Sequence, residues 1–214
     1  MIYLIAGAPR CGKTTIAQKL SKKLQISWIS VDTIESIIAN NTPEIDMVKL
    51  FPKSVVRKQT KQSNDIMYTK YSAKEIKALY VKQAESVWSA VDMMVNCEIN
   101  EGNNFIIEGH QIHPKLIAVL KNKHGKHNIC SLVITRFDIN GIVEGCLKHK
   151  AKNDWFIKKT KDNKTYYKIA EMIKEYSNFF DKEAKKYKVS IVNVDTSFVD
   201  KINHSVKLLQ GRLK

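Results

Sequence analysis

One glycine-rich segment of the chain combines residue types and spacing that could do chemistry. Residues 7–14 read Gly-Ala-Pro-Arg-Cys-Gly-Lys-Thr, which matches the pattern of a glycine, four residues, a second glycine, a lysine and a serine or threonine. The apolar run Ile2–Ala6 precedes the segment, and an amphipathic helical pattern, Lys13–Leu24, follows it. This context is typical of a P-loop, whose backbone amides converge on phosphate oxygens at the positive end of a helix. We therefore predict that the loop binds ATP.

The positions of the P-loop, Gly7–Thr14, have distinct predicted roles. Gly7 and Gly12 permit backbone angles and close approaches that a Cβ atom would forbid. Lys13 is predicted to span the β- and γ-phosphates, and the Thr14 hydroxyl to ligate Mg²⁺. The hydroxyl of Thr15 is placed to bond the α-phosphate. The predicted nucleotide contacts are Gly7, Ala8, Pro9, Arg10, Cys11, Gly12, Lys13, Thr14 and Thr15.

An acidic residue, Asp32, directly follows the second predicted strand, Ile26–Ser30, and opens a helical pattern. We expect the first and second strands to be neighbours, so that Asp32 and Lys13 share one crevice at their carboxyl ends. A carboxylate there could accept the proton of an attacking hydroxyl or hold that hydroxyl in line with the γ-phosphate. The alternative is that Asp32 caps the helix that it opens, and the two roles are compatible.

A second acidic residue, Glu108, ends the third apolar run, Asn104–Glu108. Apolar residues that close on an acid are typical of a position where a carboxylate orients Mg²⁺ through its water. His110 and His113 follow without a third metal ligand nearby, so we expect substrate contact rather than a metal site there. The predicted catalytic residues are Lys13, Asp32 and Glu108, and the predicted metal ligands are Thr14 and Glu108.

Short apolar runs alternate with longer helical patterns along the chain, which predicts an α/β fold with a five-stranded parallel sheet wrapped on both faces. The predicted strands are Ile2–Ala6, Ile26–Ser30, Asn104–Glu108, Ile129–Thr135 and Val189–Val194. The predicted helices are Lys13–Leu24, Asp32–Asn40, Ala73–Asn100, Pro114–Lys123, Asn140–Lys152, Thr165–Lys186 and Phe198–Leu213. We expect one domain over residues 1–214.

Two segments fit the sheet plan poorly. Residues 41–72 are polar and broken, with Pro43, Pro52 and many lysines, and a second lysine-dense stretch, Ala151–Lys164, follows the fourth strand. Insertions at such points often recognise substrate or act as lids. We therefore predict a substrate-binding insert at 41–72 and a lid region at 140–164, with ordinary surface loops as the alternative.

Composition excludes several classes of protein. With 43% hydrophobic residues among 214, the chain can bury a core, so a disordered tail is excluded. No apolar run is long enough to span a membrane. Four scattered cysteines without a paired motif predict free thiols in a reducing cytoplasm. The net charge of +15 is spread along the chain, and only four of the 36 basic residues are arginine, which favours solvated lysine surfaces over a polyanion-binding face.

With these residues placed, the chain resembles the P-loop small-molecule kinases, such as shikimate, gluconate and nucleoside-monophosphate kinases. More narrowly, it resembles the kinase domain of 2-phosphoglycerate kinase. The resemblance spans the P-loop, Ser30-Val31-Asp32, Ile106–Pro114 and the pattern Tyr167–Ala184. It implies a three-layer P-loop kinase fold with a helical substrate-binding insert and a lid. It also implies an ATP- and Mg²⁺-dependent phosphotransferase that acts on a hydroxyl of a small molecule.

The predicted lid departs from the pattern of these kinases. Related kinases carry arginines where this chain has Cys146 and Lys174. Lysines near the start of the lid could supply positive charge instead, namely Lys148, Lys150 and Lys152. A lysine is a point charge and cannot grip a phosphate with the planar fork of an arginine. We predict nucleotide contacts from Lys148 and from Arg136, the latter near the base.

Two other functions stay open at this point. A polynucleotide 5′-hydroxyl kinase of the same fold would use the net charge and the basic residues of the insert, which are Lys49, Lys53, Arg57, Lys58 and Lys61. The insert holds few aromatic residues for base stacking, which makes nucleic acid the less favoured partner. A nucleotide binder without catalytic activity is the third alternative.

Overall fold

A five-stranded parallel sheet forms the centre of the computed structural model, which describes residues 1–148 and 154–211. The strands are β1 (Ile2–Gly7), β2 (Ser27–Ser30), β3 (Phe105–Gly109), β4 (Ile129–Thr135) and β5 (Ile191–Asn193). Every neighbouring pair is parallel. The predicted α/β fold with a five-stranded parallel sheet is confirmed.

The order of the strands across the sheet is β2-β3-β1-β4-β5. Our expectation that the first two strands are neighbours is wrong, because β3 lies between them. The side chains of β2 are partly exposed, as suits an edge strand, whereas Ile106 and Ile107 of β3 are fully buried. The register nevertheless aligns Ser30 with Glu108 and Glu108 with Ile5, so the three strands end at one level.

Helices cover the sheet and extend beyond its carboxyl edge. They are α1 (Lys13–Leu24), α2 (Val31–Asn40), α3 (Glu44–Leu50), α4 (Pro52–Gln59), α5 (Asn64–Lys70), α6 (Ala73–Ala84), α7 (Trp88–Asn100), α8 (Pro114–His124), α9 (Ile139–Lys148), α10 (Trp155–Lys158), α11 (Asn163–Lys186) and α12 (Phe198–Gln210). The single helix predicted at Ala73–Asn100 is wrong, because a 3₁₀ turn at Glu85–Val87 separates α6 from α7. The predicted ends of α9 and α12, at Lys152 and Leu213, lie outside the described residues.

Helix α11 connects the core to the carboxyl edge. Its apolar residues recur at helical spacing, so one stripe, which includes Ile169, Ile173, Tyr176 and Phe180, is buried. The helix packs against α6, α9 and β4. No helix in the described part of the chain is long and apolar enough to cross a bilayer.

Three short helices, α3 to α5, occupy residues 41–72 and contact the residues after β4. The buried side chain of Asn64 donates to the Trp155 carbonyl (3.1 Å) and to Thr160 Oγ1 (2.9 Å). Arg57 donates in turn to Asn64 Oδ1 (3.2 Å). The backbone amide of Asn64 also bonds the carbonyl of Lys159 (2.8 Å). Asn64 therefore joins the two segments that fit the sheet plan poorly.

We expect Asn64→Ala to destabilise the protein by about 2–3 kcal/mol, because it leaves the partners of a buried amide unsatisfied. Chemical denaturation monitored by circular dichroism measures the change. Asn122→Ala, at an exposed position of α8, is the matched control and should not destabilise. Equal stability of the two variants would contradict the joining role of Asn64.

Candidate active site

A cleft of about 1100 Å³ opens where β1, β2 and β3 end. Residues of the P-loop lie on one side of it, and α2, α4 and α6 contribute residues to the other. Its basic side chains are Arg10, Lys13, Lys53, Arg57, Arg136 and Lys159, and its carboxylates are Asp32, Glu35 and Glu108. Lysines and arginines thus outnumber carboxylates in the lining of the cleft, by six to three.

The P-loop connects β1 to α1 through a backbone that requires glycine. Gly7 has φ +137°, and a Cβ there would lie 2.1 Å from the carbonyl oxygen of Ile134. Gly12, at φ +90°, is the residue that precedes α1, and it lines the cleft together with Thr15. The amino end of α1 therefore opens into the cleft, where its dipole favours an anion.

The predicted nucleotide contacts of the P-loop divide into two groups. Those that line the cleft are Pro9, Arg10, Gly12, Lys13, Thr14 and Thr15. Ala8 and Cys11 have fully buried side chains. Burial raises the pKa of the Cys11 thiol to about 11, so the thiol stays protonated. Lys13 donates through Nζ to the carbonyl of Ala8 (2.9 Å), which holds its ammonium group beside the loop.

Thr14 and Glu108 meet at the end of the sheet. Thr14 Oγ1 donates to Glu108 Oε1 (3.0 Å), and Glu108 is buried at the end of β3. A hydroxyl and a carboxylate at this separation form a pair of hard oxygen ligands of the kind that Mg²⁺ prefers. The two residues therefore fit the magnesium site that the sequence predicts.

Asp32 lies in the first turn of α2 and presents its carboxylate to the cleft. The residue that caps α2 is Ser30, whose hydroxyl accepts from the Asp32 amide (3.3 Å), so the alternative that Asp32 is the cap is wrong. Gln111 Nε2 donates to Asp32 Oδ1 (2.8 Å) and to Glu35 Oε2 (3.0 Å). His110 Nε2 lies 3.7 Å from Asp32 Oδ1. One buried amide therefore orients two carboxylates.

The second carboxylate, Glu35, was missed by the sequence analysis. Its Oε1 accepts from Lys53 Nζ and from Gln83 Nε2, both at 2.7 Å. Burial acts to raise the pKa of Glu35, but Lys53, and then His110, outweigh it, so the pKa lies below its ordinary value. The spacing of Asp32 and Glu35, one helical turn apart, was the available signal. No spacing indicated that Gln111 and Gln83 join them.

The environment of Asp32 keeps it ionised. Desolvation by the walls of the cleft acts to raise the pKa of Asp32, whose side chain is still 69% exposed, but His110 and the Gln111 amide outweigh it. Lys53 and Lys13 act in the same direction, so the pKa of Asp32 lies below its ordinary value. Burial lowers the pKa of His110 to about 4, so this ring is neutral at neutral pH. The cleft thus holds an ionised carboxylate beside an imidazole that is uncharged at neutral pH.

The other histidine, His113, is buried behind the loop that carries His110. It is buried among aromatic rings, including Trp88 and Phe179, and does not line the cleft. Tyr176 donates to the carbonyl of His110 (2.9 Å), and the Tyr176 oxygen lies 3.0 Å from His113 Nε2. These bonds fix the loop that carries His110, so His113 has a structural role.

The remaining predicted nucleotide contacts lie apart from each other. Arg136 lines the cleft, donates to the carbonyl of Gly141 (2.6 Å) and lies over the ring of Phe198 at 5.1 Å. Lys148 is exposed, lies 3.6 Å from Glu144 and does not line the cleft. Two further lysines of the predicted lid, Lys150 and Lys152, lie outside the described residues.

Comparisons with known proteins agree with this fold. A family model described as an AAA domain matches residues 4–135. A 2-phosphoglycerate kinase from Methanopyrus kandleri is 25% identical over 225 residues, which cover 99% of this chain but 62% of the relative. Solved structures from Chloroflexus aurantiacus and Eubacterium ventriosum each align with a TM-score of 0.50, over 99% of this chain and 94% and 98% of theirs. Their identities, 12% and 17%, extend the likeness to the fold alone.

We expect any catalytic activity that requires the ionised Asp32 carboxylate to be flat between about pH 5 and pH 8, because the lowered pKa keeps this carboxylate ionised until the pH falls through it. His110 should add no inflection in this range, since its pKa is about 4. Gln111→Leu removes a donor to the ionised form, so the acidic limb should move up by about one pH unit. The pH profile of kcat/KM measures both effects.

Gln18→Leu, at an exposed position of α1, serves as the control and should leave the profile unchanged. An acidic limb near the ordinary pKa of histidine in the wild-type protein would contradict this account of His110.

Proposed function

The chain belongs to the AAA domain family of P-loop proteins, and on that premise we propose that it is an ATP-dependent kinase that transfers the γ-phosphate to a hydroxyl of a small molecule. The observation that carries the proposal is the arrangement of the cleft. Lys13 and Thr14 of the P-loop face the same space as Asp32, a carboxylate with a lowered pKa. A phosphate donor and a hydroxyl acceptor can therefore meet between them.

The nucleotide side of the cleft supports ATP as the donor. The amino end of α1, Lys13 and Arg136 provide positive potential along the P-loop. Thr14 and Glu108 would hold Mg²⁺, which when bound neutralises charge on the β- and γ-phosphates.

The acceptor side supports a role for Asp32 as general base. As the acceptor oxygen bonds to the γ-phosphorus, its proton passes to Asp32 and the bond to the β-phosphate oxygen breaks, which releases ADP. Gln111 fixes the direction in which the Asp32 carboxylate points, through the 2.8 Å bond to Oδ1. His110 has a pKa of about 4, so its ring is uncharged near neutral pH and becomes charged only in acid, where it helps to keep the pKa of Asp32 low.

We propose that the acceptor is a small anionic alcohol of the 2-phosphoglycerate type. Basic side chains from the far side of the cleft, Lys53, Arg57 and Lys159, support an acceptor with negative groups. The likeness to a 2-phosphoglycerate kinase supports the same class, although the chain spans 62% of that relative. The domain would comprise residues 1–214, with 41–72 as the substrate-binding insert and 140–164 as the lid region.

A polynucleotide acceptor has weaker support. Of the basic residues in the insert, Lys53 and Arg57 line the cleft, where Lys53 bonds to Glu35, and Arg57 also donates to the buried Asn64. Lys58 is exposed and lies 3.7 Å from Glu44. Part of the positive charge of the insert therefore faces the cleft, where a small ligand would bind, and is not exposed on the surface for a phosphate backbone.

We expect Lys13→Ala to abolish phosphoryl transfer and leave the fold intact, because the lysine ammonium would neutralise negative charge on the β- and γ-phosphates. Transfer from γ-labelled ATP to 2-phosphoglycerate and the far-ultraviolet circular dichroism spectrum measure the two properties. Lys22→Ala, in the last turn of the same helix, is the control and should retain activity. Retained transfer in Lys13→Ala would refute the assignment of the P-loop.

We expect Asp32→Asn to reduce acceptor phosphorylation by about 10²- to 10⁴-fold while ATP affinity stays nearly unchanged, since the base acts on the acceptor. Titration with a fluorescent ATP analogue measures the affinity. Glu44→Gln, an exposed carboxylate change, is the control. A parallel fall in affinity and rate would assign Asp32 a structural or metal-linked role.

The acceptor class is tested by competition among 2-phosphoglycerate, nucleosides and a 5′-hydroxyl oligonucleotide in the same transfer assay. The proposal expects transfer to the small anionic alcohol. Transfer to the oligonucleotide, with an affinity that falls steeply as salt rises, would identify a polynucleotide kinase instead.

A further inference from the structure

An arginine of the P-loop, Arg10, is held by residues that follow β4. Its Nη2 atom pairs with Asp154 Oδ2 (2.8 Å), and its Nε donates to Cys146 Sγ (3.1 Å). The guanidinium carbon lies 5.9 Å from the centre of the Phe156 ring. The backbone of Arg10 adopts the left-handed conformation, with φ +65°, which is uncommon for a residue other than glycine. One side chain from α9, one from α10 and one from the residue that caps α10 therefore hold the guanidinium of Arg10.

Asp154 uses its two oxygens for two different purposes. Its Oδ1 accepts from the amide of Phe156 (3.0 Å) and caps α10, while Oδ2 pairs with Arg10. The Asp154 side chain is fully buried, and that of Arg10 is one-quarter exposed, at 24%. A buried carboxylate requires a fixed partner, because an unpaired charge there is costly. The ion pair therefore keeps the guanidinium of Arg10 beside Asp154.

Arg10 occupies the place where a cation can meet the phosphates. It lines the cleft beside Lys13, and Arg136 Nη1 lies 3.5 Å from the Arg10 carbonyl. Within residues 1–148 and 154–211, Arg10 Nη1 has no hydrogen-bond partner, so its donors remain for a ligand. In α9, Cys146 stands where the related kinases carry an arginine, and its sulfur accepts from Arg10.

We propose that Arg10 contacts the transferring γ-phosphoryl group and that Asp154 is a positioning residue that holds Arg10 for this contact. The inference rests on the proposed kinase function. In the transition state the bond from the acceptor oxygen to phosphorus forms while the bond to the ADP oxygen breaks, and the acceptor proton moves to Asp32. Charge then spreads over three equatorial oxygens, to which Arg10 Nη1 can donate while Nη2 of the same planar guanidinium stays paired with Asp154.

The test compares binding of ADP and Mg²⁺ with and without aluminium fluoride, a mimic of the transferring group. In the wild-type protein, aluminium fluoride should tighten ADP binding by about 100-fold or more, as transition-state analogues do. Arg10→Gln should keep its ADP affinity within about threefold and lose most of this tightening, because Arg10 acts on the transferring group. Arg10→Lys should also lose most of it, since lysine lacks the planar fork. Isothermal titration calorimetry measures each affinity.

Asp154→Asn separates positioning from folding, because asparagine also caps a helix but carries no charge. In the wild-type background, Asp154→Asn should reduce the tightening of ADP binding by about tenfold. In the Arg10→Gln background it should cause no further reduction, as expected for two residues that act as a unit. Lys22→Gln, at the far end of α1, is the control and should retain full tightening.

Full tightening in Arg10→Gln, or a loss caused by Asp154→Asn in the absence of Arg10, would overturn the inference. A wild-type protein that binds ADP with Mg²⁺ but gains no affinity from aluminium fluoride would overturn it too, while leaving nucleotide binding intact. A wild-type protein that fails to bind ADP with Mg²⁺ would instead refute the proposed function.

Discussion

The cleft depends on the register of three parallel strands. Because Ser30 pairs with Glu108 and Glu108 with Ile5, β2, β3 and β1 end at one level, and the residues that follow them enter one space. The strand between the other two carries Glu108, so a carboxylate lies between the P-loop and Asp32. A shift of one residue in β3 would turn the Glu108 side chain to the opposite face of the sheet and remove it from Thr14. The site is therefore fixed first by backbone pairing and only then by its side chains.

Charge around Asp32 and Glu35 is balanced by neutral hydrogen-bond donors as well as by cations. Asp32 and Glu35 lie one helical turn apart on α2, where two carboxylates repel each other. Gln111 gives a hydrogen bond to each, and Gln83 gives another to Glu35. Such donors favour the ionised forms without adding positive charge, which leaves Lys53 as the direct ion-pair partner of Glu35. Asp32 consequently has a pKa below its ordinary value, and its carboxylate still faces the cleft.

Motifs and hydrophobic periodicity in the sequence predicted most helices and strands. They did not predict contacts between segments that are distant along the chain. The P-loop and the pairing of Thr14 with Glu108 follow from short motifs, because each motif fixes the backbone around it. Strand order was predicted wrongly, since hydrophobic periodicity identifies a strand but not its neighbour. The helix at Ala73–Asn100 was drawn too long, because its apolar pattern continues through the 3₁₀ turn. Gln111 and Asp154 were missed as partners because spacing along the chain does not record contacts across the fold.

The residues after β4 connect the two sides of the cleft. Asp154 binds Arg10 of the P-loop, while the carbonyl of Trp155, the next residue, accepts from Asn64 at the start of α5. Trp155 also lies under the guanidinium of Arg57, at 5.6 Å. A displacement of α10 would therefore move Arg10 on one side of the cleft and Arg57 on the other. Because both arginines contact residues at the start of one short helix, the two sides of the cleft are linked through α10 as well as through the sheet.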